Sequence, residues 1–130
     1  MGEAAPPVRS YRDLKVWQRA MELAVECHML TRRFPRRSSS GLVAQLERAA
    51  GSVPANIAEG NGRRTRADYL RHLSIANGSL AELETHMLLA ARLGLVSPRE
   101  IRRVLSTASE VGRLLAGLIR ALRSEQPSTS

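Results

Sequence analysis

The sequence predicts an all-α protein: an antiparallel up-down-up-down four-helix bundle, with helix two kinked at Pro54. Three observations lead there. Aromatic residues make up only 3% of the chain, while Leu, Ala, Arg and Glu dominate, a composition that favours helix over strand. Four long segments carry apolar residues at alternating spacings of three and four. Short, turn-rich breaks separate them, as an up-down bundle requires.

Helix one is expected from Ser10, where Asp13 completes a weak capping box, to about Arg33. Leu14, Trp17, Met21 and Ala24 form one apolar stripe, and Ala20, Leu23, Cys27, Leu30 and Phe34 form the next. Pro35 stops the helix, and "PRRSSSG" reads as a polar loop.

Helix two is expected to start near Gly41 and to end at Gly60–Gly62, with Leu42, Leu46, Ala50, Val53 and Ile57 as its core seam. Pro54 lies inside it. An interior proline costs about 3 kcal/mol, through a lost hydrogen bond and a clash with the carbonyl four residues back. That carbonyl belongs to Ala50. Either the helix ends before Pro54 and a short one follows, or it continues with a kink. Ile57 keeps the register of Val53, which favours the kink.

Thr65 and Asp68 cap helix three, whose seam runs Tyr69, Leu73, Ala76, Leu80, Leu83, Met87 and Ala90. Gly94 closes it. "SPRE", Ser97 to Glu100, is the clearest start signal: Ser at the cap, Pro next, Glu third. Helix four carries Ile101, Leu105, Ala108, Leu115, Ile119 and Leu122. The resulting division is a flexible arm over residues 1–9, the bundle over 10–123 and a disordered tail over 124–130.

A chain of 130 residues suits one domain and buries roughly two-thirds of its unfolded surface. Cys27 is the only cysteine, which fits a reducing compartment. The chain opens on no apolar leader and has no run of apolar residues long enough to cross a membrane. A soluble cytoplasmic protein without membrane contact is the expectation. The net charge is +8, which favours a polyanionic partner.

Beside the core seam of helix two runs a small, polar stripe: Gln45, Ala49, Ser52, Asn56 and Glu59. Helix three has a counterpart in Leu70, Ser74, Asn77, Ala81, Glu84 and Leu88. One bundle has one core, so these stripes need another destination. They pack between subunits, or bring helices two and three together at close range. The subunit-interface candidates are Gln45, Ala49, Ser52, Asn56, Glu59, Ser74, Asn77 and Ala81.

No catalytic or metal constellation emerges. Val25, Tyr69 and Leu83 precede His28, His72 and His86 by three, so the Glu-x-x-His pairs of a di-iron bundle are missing. Asp68 and Glu82 each sit four residues before a histidine, which suggests surface pairs at His72 and His86. Glu22 and Glu26 read as a solvated face. Cys27 falls on a buried stripe and reads as an inert core thiol. The expectation is no enzyme, no cofactor and no metal.

The arginines gather at the two ends of the bundle. The candidate nucleic-acid contacts are Arg32, Arg33, Arg36, Arg37, Arg63, Arg64, Arg66, Arg99, Arg102 and Arg103. Cations near helix C-termini also complement helix dipoles, but Arg63–Arg66 and Arg99–Arg103 lie near N-termini. These ends lack aromatics for base stacking, which points to backbone contact rather than sequence readout.

The stretches "YRDLKVWQRAMELA", "GLVAQLERAAGSVPANIAEGNGR" and "YLRHLSIANGSLAELETHMLLAARLG" resemble the 23S rRNA-intervening-sequence protein family of bacteria. "SVPANIAEG" is the most specific element. The resemblance implies a small bundle assembled into a ring-like homopentamer. A distantly similar bundle accompanies the reverse transcriptase of diversity-generating retroelements. Between Phe34 and Leu42 relatives often carry acids and an aromatic, whereas this chain has Arg36 to Ser40, "RRSSS".

Two functions remain open from sequence. One is a non-catalytic oligomeric scaffold that binds RNA or DNA backbone through its arginine-rich poles. The other is a protein-interaction module that docks a nucleoprotein or a reverse-transcriptase-like partner.

Overall fold

Amphipathic segments of this spacing bury one face each, and four of them close around a single core. The computed structural model describes residues 9–125, apart from the side chains of Arg36, Arg37 and Ser38. Most of the expected arm and tail therefore lies outside the described residues. Among them stand four helices and no strand: α1 (Lys15–Thr31), α2 (Arg36–Asn61), α3 (Arg66–Arg92) and α4 (Pro98–Ser124).

α2 packs between α1 and α3, and α4 closes the square against both, while the backbones of the diagonal pairs stay apart. Cross-helix partners set the directions. Along α2 and α3 the pairs are Arg48–Glu82, Ser52–Ser79, Asn56–His72 and Asn61–Tyr69. Along α1 and α4 they are Arg19–Glu110, Glu26–Arg103 and Arg33–Glu100. Numbers rise on one helix as they fall on the other, so each pair runs antiparallel.

The interior holds Leu23, Cys27, Leu46, Val53, Ile57, Leu73, Leu83, Met87, Val111 and Leu115, all fully buried. The seam of α3 is buried as its spacing predicts, from Leu73 to Ala90, with Tyr69 packed at its margin.

Three expectations need correction. The Ser10–Asp13 capping box is present but closes a separate single turn, Tyr11–Asp13. Leu14 then takes extended backbone, so α1 begins at Lys15. The core register of α1 runs Val16, Ala20, Leu23, Cys27 and Leu30, which leaves Met21 on a shoulder, 41% exposed.

α2 begins at Arg36 rather than Gly41. Pro35, in extended backbone, precedes it, and the Ser39 hydroxyl donates back to the Pro35 carbonyl. The serines read as loop formers are accommodated in the first turns of a helix. α2 then passes through Pro54 as one element, so no second helix starts there.

α2 and α3 approach most closely at Gly60. A Cβ there would lie 2.9 Å from the Cβ of His72 and 3.0 Å from Cδ1 of Tyr69. Thr65 caps α3, accepting from the Asp68 amide at 3.1 Å. Gly94, with φ +76, takes the left-handed turn that leads out of α3. At α4 the Ser97–Glu100 capping box forms in both directions, with Pro98 as the first helical residue.

Candidate nucleic-acid interface

Whether an arginine is free to meet a phosphate depends on whether a carboxylate already holds it. Several are held. Arg19 pairs with Glu22 and Glu110, Arg33 with Glu100, Arg48 with Glu82, Arg63 with Glu59, Arg71 with Asp68, and Arg103 with Glu26. These are exposed or half-exposed pairs of small energetic worth, yet each lowers the local positive potential.

Among the described residues Arg32, Arg64, Arg66, Arg99 and Arg102 have no carboxylate partner, and all but the half-buried Arg66 are exposed. The ends of α1 and α3 and the starts of α2 and α4 share one pole. It carries Arg32, Arg92, Arg99 and Arg102 as free cations, with Arg33 tied to Glu100. Glu100 is itself committed: hydrogen bonds from Ser97 hold its carboxyl below the usual range, with the Arg33 guanidinium beside it. The other pole carries Arg9, Arg12, Lys15, Arg64, Arg66, Arg120 and Arg123. The side chains of Arg36 and Arg37 lie outside the described residues. Arg113, Arg120 and Arg123, absent from the sequence-based candidates, are exposed and free of carboxylates as well. Their alternating spacing along helix four was the signal.

The small polar stripe divides. Ala49 is buried inside the subunit at 2% exposure. The Ser52 hydroxyl lies 2.7 Å from that of Ser79, and the Asn56 amide reaches His72. These three serve the close packing of α2 on α3. Gln45, Glu59, Ser74, Asn77 and Ala81 are exposed.

The histidines also differ from the surface pairs expected. His72 is buried and bonds Asn56, while Asp68 turns to Arg71. Glu82 faces Arg48 rather than His86, whose Nδ1 is buried without a partner. Of the two acids on α1, Glu22 is exposed, but Glu26 is half-buried with Oε1 unpartnered.

Cys27 is fully buried, and burial, with Glu47 nearby, pushes its thiol up to about 12. Such a thiol is not a nucleophile at neutral pH. Among the described residues no three His, Cys, Asp or Glu side chains gather as a metal site would need. No helix there is long and apolar enough to cross a membrane. A hollow of about 520 Å³ lies between α1 and α2, lined by Thr31, Phe34, Ser39 and Glu47 among others. Its two buried hydroxyls already donate to the carbonyls of His28 and Pro35.

Comparison with curated proteins finds no match. Among solved structures the chain is similar to a protein with unknown function from the S23 ribosomal protein family of Bacteroides thetaiotaomicron. The TM-score is 0.74 at 25% identity, over 81% of this chain and 98% of that one. The model of the 23S rRNA-intervening sequence protein family matches residues 12–117. That match takes in all of α1 to α3 and most of α4, and on it the chain belongs to the 23S rRNA-intervening sequence protein family.

Proposed function

We propose that this protein is a non-catalytic homo-oligomeric scaffold that binds the phosphate backbone of RNA or DNA. The observation that carries the reading is the surplus of free arginines. After the ion pairs are formed, exposed and unpaired guanidiniums remain at both ends of the bundle. Phosphates neutralised there release counterions, so affinity falls steeply with salt. The family's description as 23S rRNA-intervening sequence proteins supports a nucleic-acid role in the bacterial cytoplasm.

The outer face of α2 and α3 supports assembly. Between Arg71 and Arg92 the exposed positions of α3 carry no charge: Ser74, Ile75, Asn77, Gly78, Ala81, Thr85, Leu88 and Leu89. A solvent-facing helix ordinarily presents charged residues there. Gly78 and Gly51 each lie mid-helix with nothing within 4 Å of where a Cβ would stand. Packing within the subunit gives no reason for either glycine, and each costs the helix about 1 kcal/mol relative to alanine. Close approach of a second copy supplies one. A ring, five-fold as the family resemblance implies, places the arginine poles as two positive rims.

The test is a gel-shift series with labelled RNA and DNA at low and high salt. Binding that weakens as salt rises supports the scaffold; no binding at low salt, or binding indifferent to salt, overturns it.

A second reading is favoured by a different feature. Met21, Val25 and Met29 form an exposed apolar line along α1 beside Arg103. A line of this kind suits a protein partner, such as a nucleoprotein or reverse transcriptase, and predicts a complex that survives nuclease treatment.

A further inference from the structure

The outer seam of α4 differs from every other exposed face of the bundle. Positions 99, 102, 106, 109, 113, 116, 120 and 123 follow the alternating spacing of one helical stripe, and all eight are exposed. Five are arginines: Arg99, Arg102, Arg113, Arg120 and Arg123. The other three are small: Ser106, Ser109 and Ala116. No acid lies on the stripe. The acids of α4 are occupied elsewhere: Glu100 in its cap and with Arg33, Glu110 with Arg19 on the α1 side. None of the five arginines has a carboxylate partner among the described residues. Arg113 instead leans along the stripe, its Nη1 donating to the Ser109 hydroxyl at 2.8 Å.

Twenty-four residues of helix span about 36 Å. The seam therefore joins the two poles by a stripe free of acids, its arginines in two groups with Ser106 and Ser109 across the roughly 16 Å between Arg102 and Arg113. Near its C-terminal end it borders a groove of about 340 Å³ between α3 and α4. Leu70 and Ile119 line that groove with Arg120, Arg123, Ser74 and Asn77, and no acid is among its lining residues. The cations thus flank the apolar side chains of Leu70 and Ile119, with an amide and a hydroxyl at hand. Helix-dipole compensation accounts for Arg123 at the C-terminus, but not for Arg113 in the middle or Arg99 and Arg102 at the positive end.

We infer that the outer seam of α4 is the phosphate-binding track, along which a nucleic-acid strand lies lengthwise across the bundle instead of touching only its ends. The inference rests on the nucleic-acid reading above and deepens it. The small residues between the arginines let the strand approach the helix backbone. The groove beside Arg120 and Arg123 receives a sugar or base face on Leu70 and Ile119. Because α4 is diagonal to α2, an assembly made through the outer face of α2 leaves the arginine stripe open; Ser74 and Asn77, which line the groove, then face the strand rather than a second copy.

The experiment compares the full chain with two triple variants of equal charge loss. The first removes seam charge (R113A, R120A, R123A); the second removes arginines that carboxylates already hold (R19A, R48A, R71A). Affinity for labelled 20-nucleotide single-stranded RNA, single-stranded DNA and duplex DNA is measured across 50 to 200 mM salt. Five contacts to a single strand predict about a hundredfold loss of affinity over that range. The seam variant is expected to bind at least tenfold more weakly at 100 mM. Its log–log salt slope should be shallower by about two, from three lost contacts. The second variant should change much less. Equal weakening by both variants, with the wild-type chain still binding, overturns the track and leaves the nucleic-acid reading intact. Absence of wild-type binding overturns both. Poly-glutamate that displaces RNA at equal charge concentration also overturns the track, in favour of an acidic protein partner on this seam.

Discussion

The Nδ1 of His72 lies 3.1 Å from the Oδ1 of Asn56, so a buried histidine of α3 is held by an amide of α2. The Asn56 amide donates in turn to the Ser52 carbonyl at 2.9 Å and hydroxyl at 3.0 Å. That hydroxyl meets Ser79 at 2.7 Å. Asn56 thus presents its oxygen to the ring, and His72 Nδ1 is the donor. A polar ladder crosses the α2–α3 seam where small side chains bring the helices together.

Removing the centre of this ladder strands its neighbours. Asn56→Ala leaves the His72 donor buried and unpaired, a loss of about 1–3 kcal/mol. Thermal unfolding should show a clearly lowered midpoint with native helicity retained. An unchanged midpoint contradicts the ladder's role.

The glycines make opposite predictions. Gly60→Ala forces a Cβ to within 2.9 Å of His72, so destabilisation of about 1–3 kcal/mol is expected despite alanine's better helix propensity. Gly78→Ala meets open space within the subunit, and its helix gains about 1 kcal/mol when the chain is kept monomeric by dilution. Gly78→Arg should retain helicity while lowering the native mass, read by light scattering.

Cys27 gives an alkaline signature. A folded-state value raised to about 12 means that the neutral thiol is favoured by folding. Its contribution is complete below the ordinary value of 9.0 and is lost as pH rises from there toward 12. Stability of the wild-type chain should fall over that interval more steeply than that of Cys27→Ala. At neutral pH a thiol reagent should modify Cys27 roughly 10³-fold more slowly than in denaturant.

The α4 cap gives an acid signature. Glu100 is held below its ordinary value of 4.5 by hydrogen bonds from Ser97. A depressed carboxyl stabilises above that value, and the contribution is lost as pH falls through 4.5 and below. Ser97→Ala should cost about 1 kcal/mol at neutral pH and flatten the acid limb of the stability curve.

What was legible in the sequence is what local chemistry dictates. The Ser97–Glu100 box, the Thr65 cap and the α3 seam depend on neighbours three or four residues away, and all appear where their spacing puts them. The start of α2 was not legible, because Pro35 and three serines serve a helix N-terminus as readily as a loop. Val16 and Met21 exchanged places because a stripe's centre is set by the facing helices. The destination of Asn56 and His72 depends on a contact sixteen residues away, which periodicity alone does not reveal. The arginine poles followed from topology. Which arginines stay free did not, since Arg33, Arg63 and Arg103 find acids on other turns or other helices. The α4 seam is present in the spacing, but which of its arginines lack an acid depends on Glu100 and Glu110 turning to α1.

The most direct test of the scaffold is the native mass of nuclease-treated protein at micromolar concentration, by light scattering in moderate salt. Self-association through the outer face of α2 and α3 predicts a discrete multiple of the 14.3 kDa chain, near five-fold. A single 14.3 kDa species would contradict it.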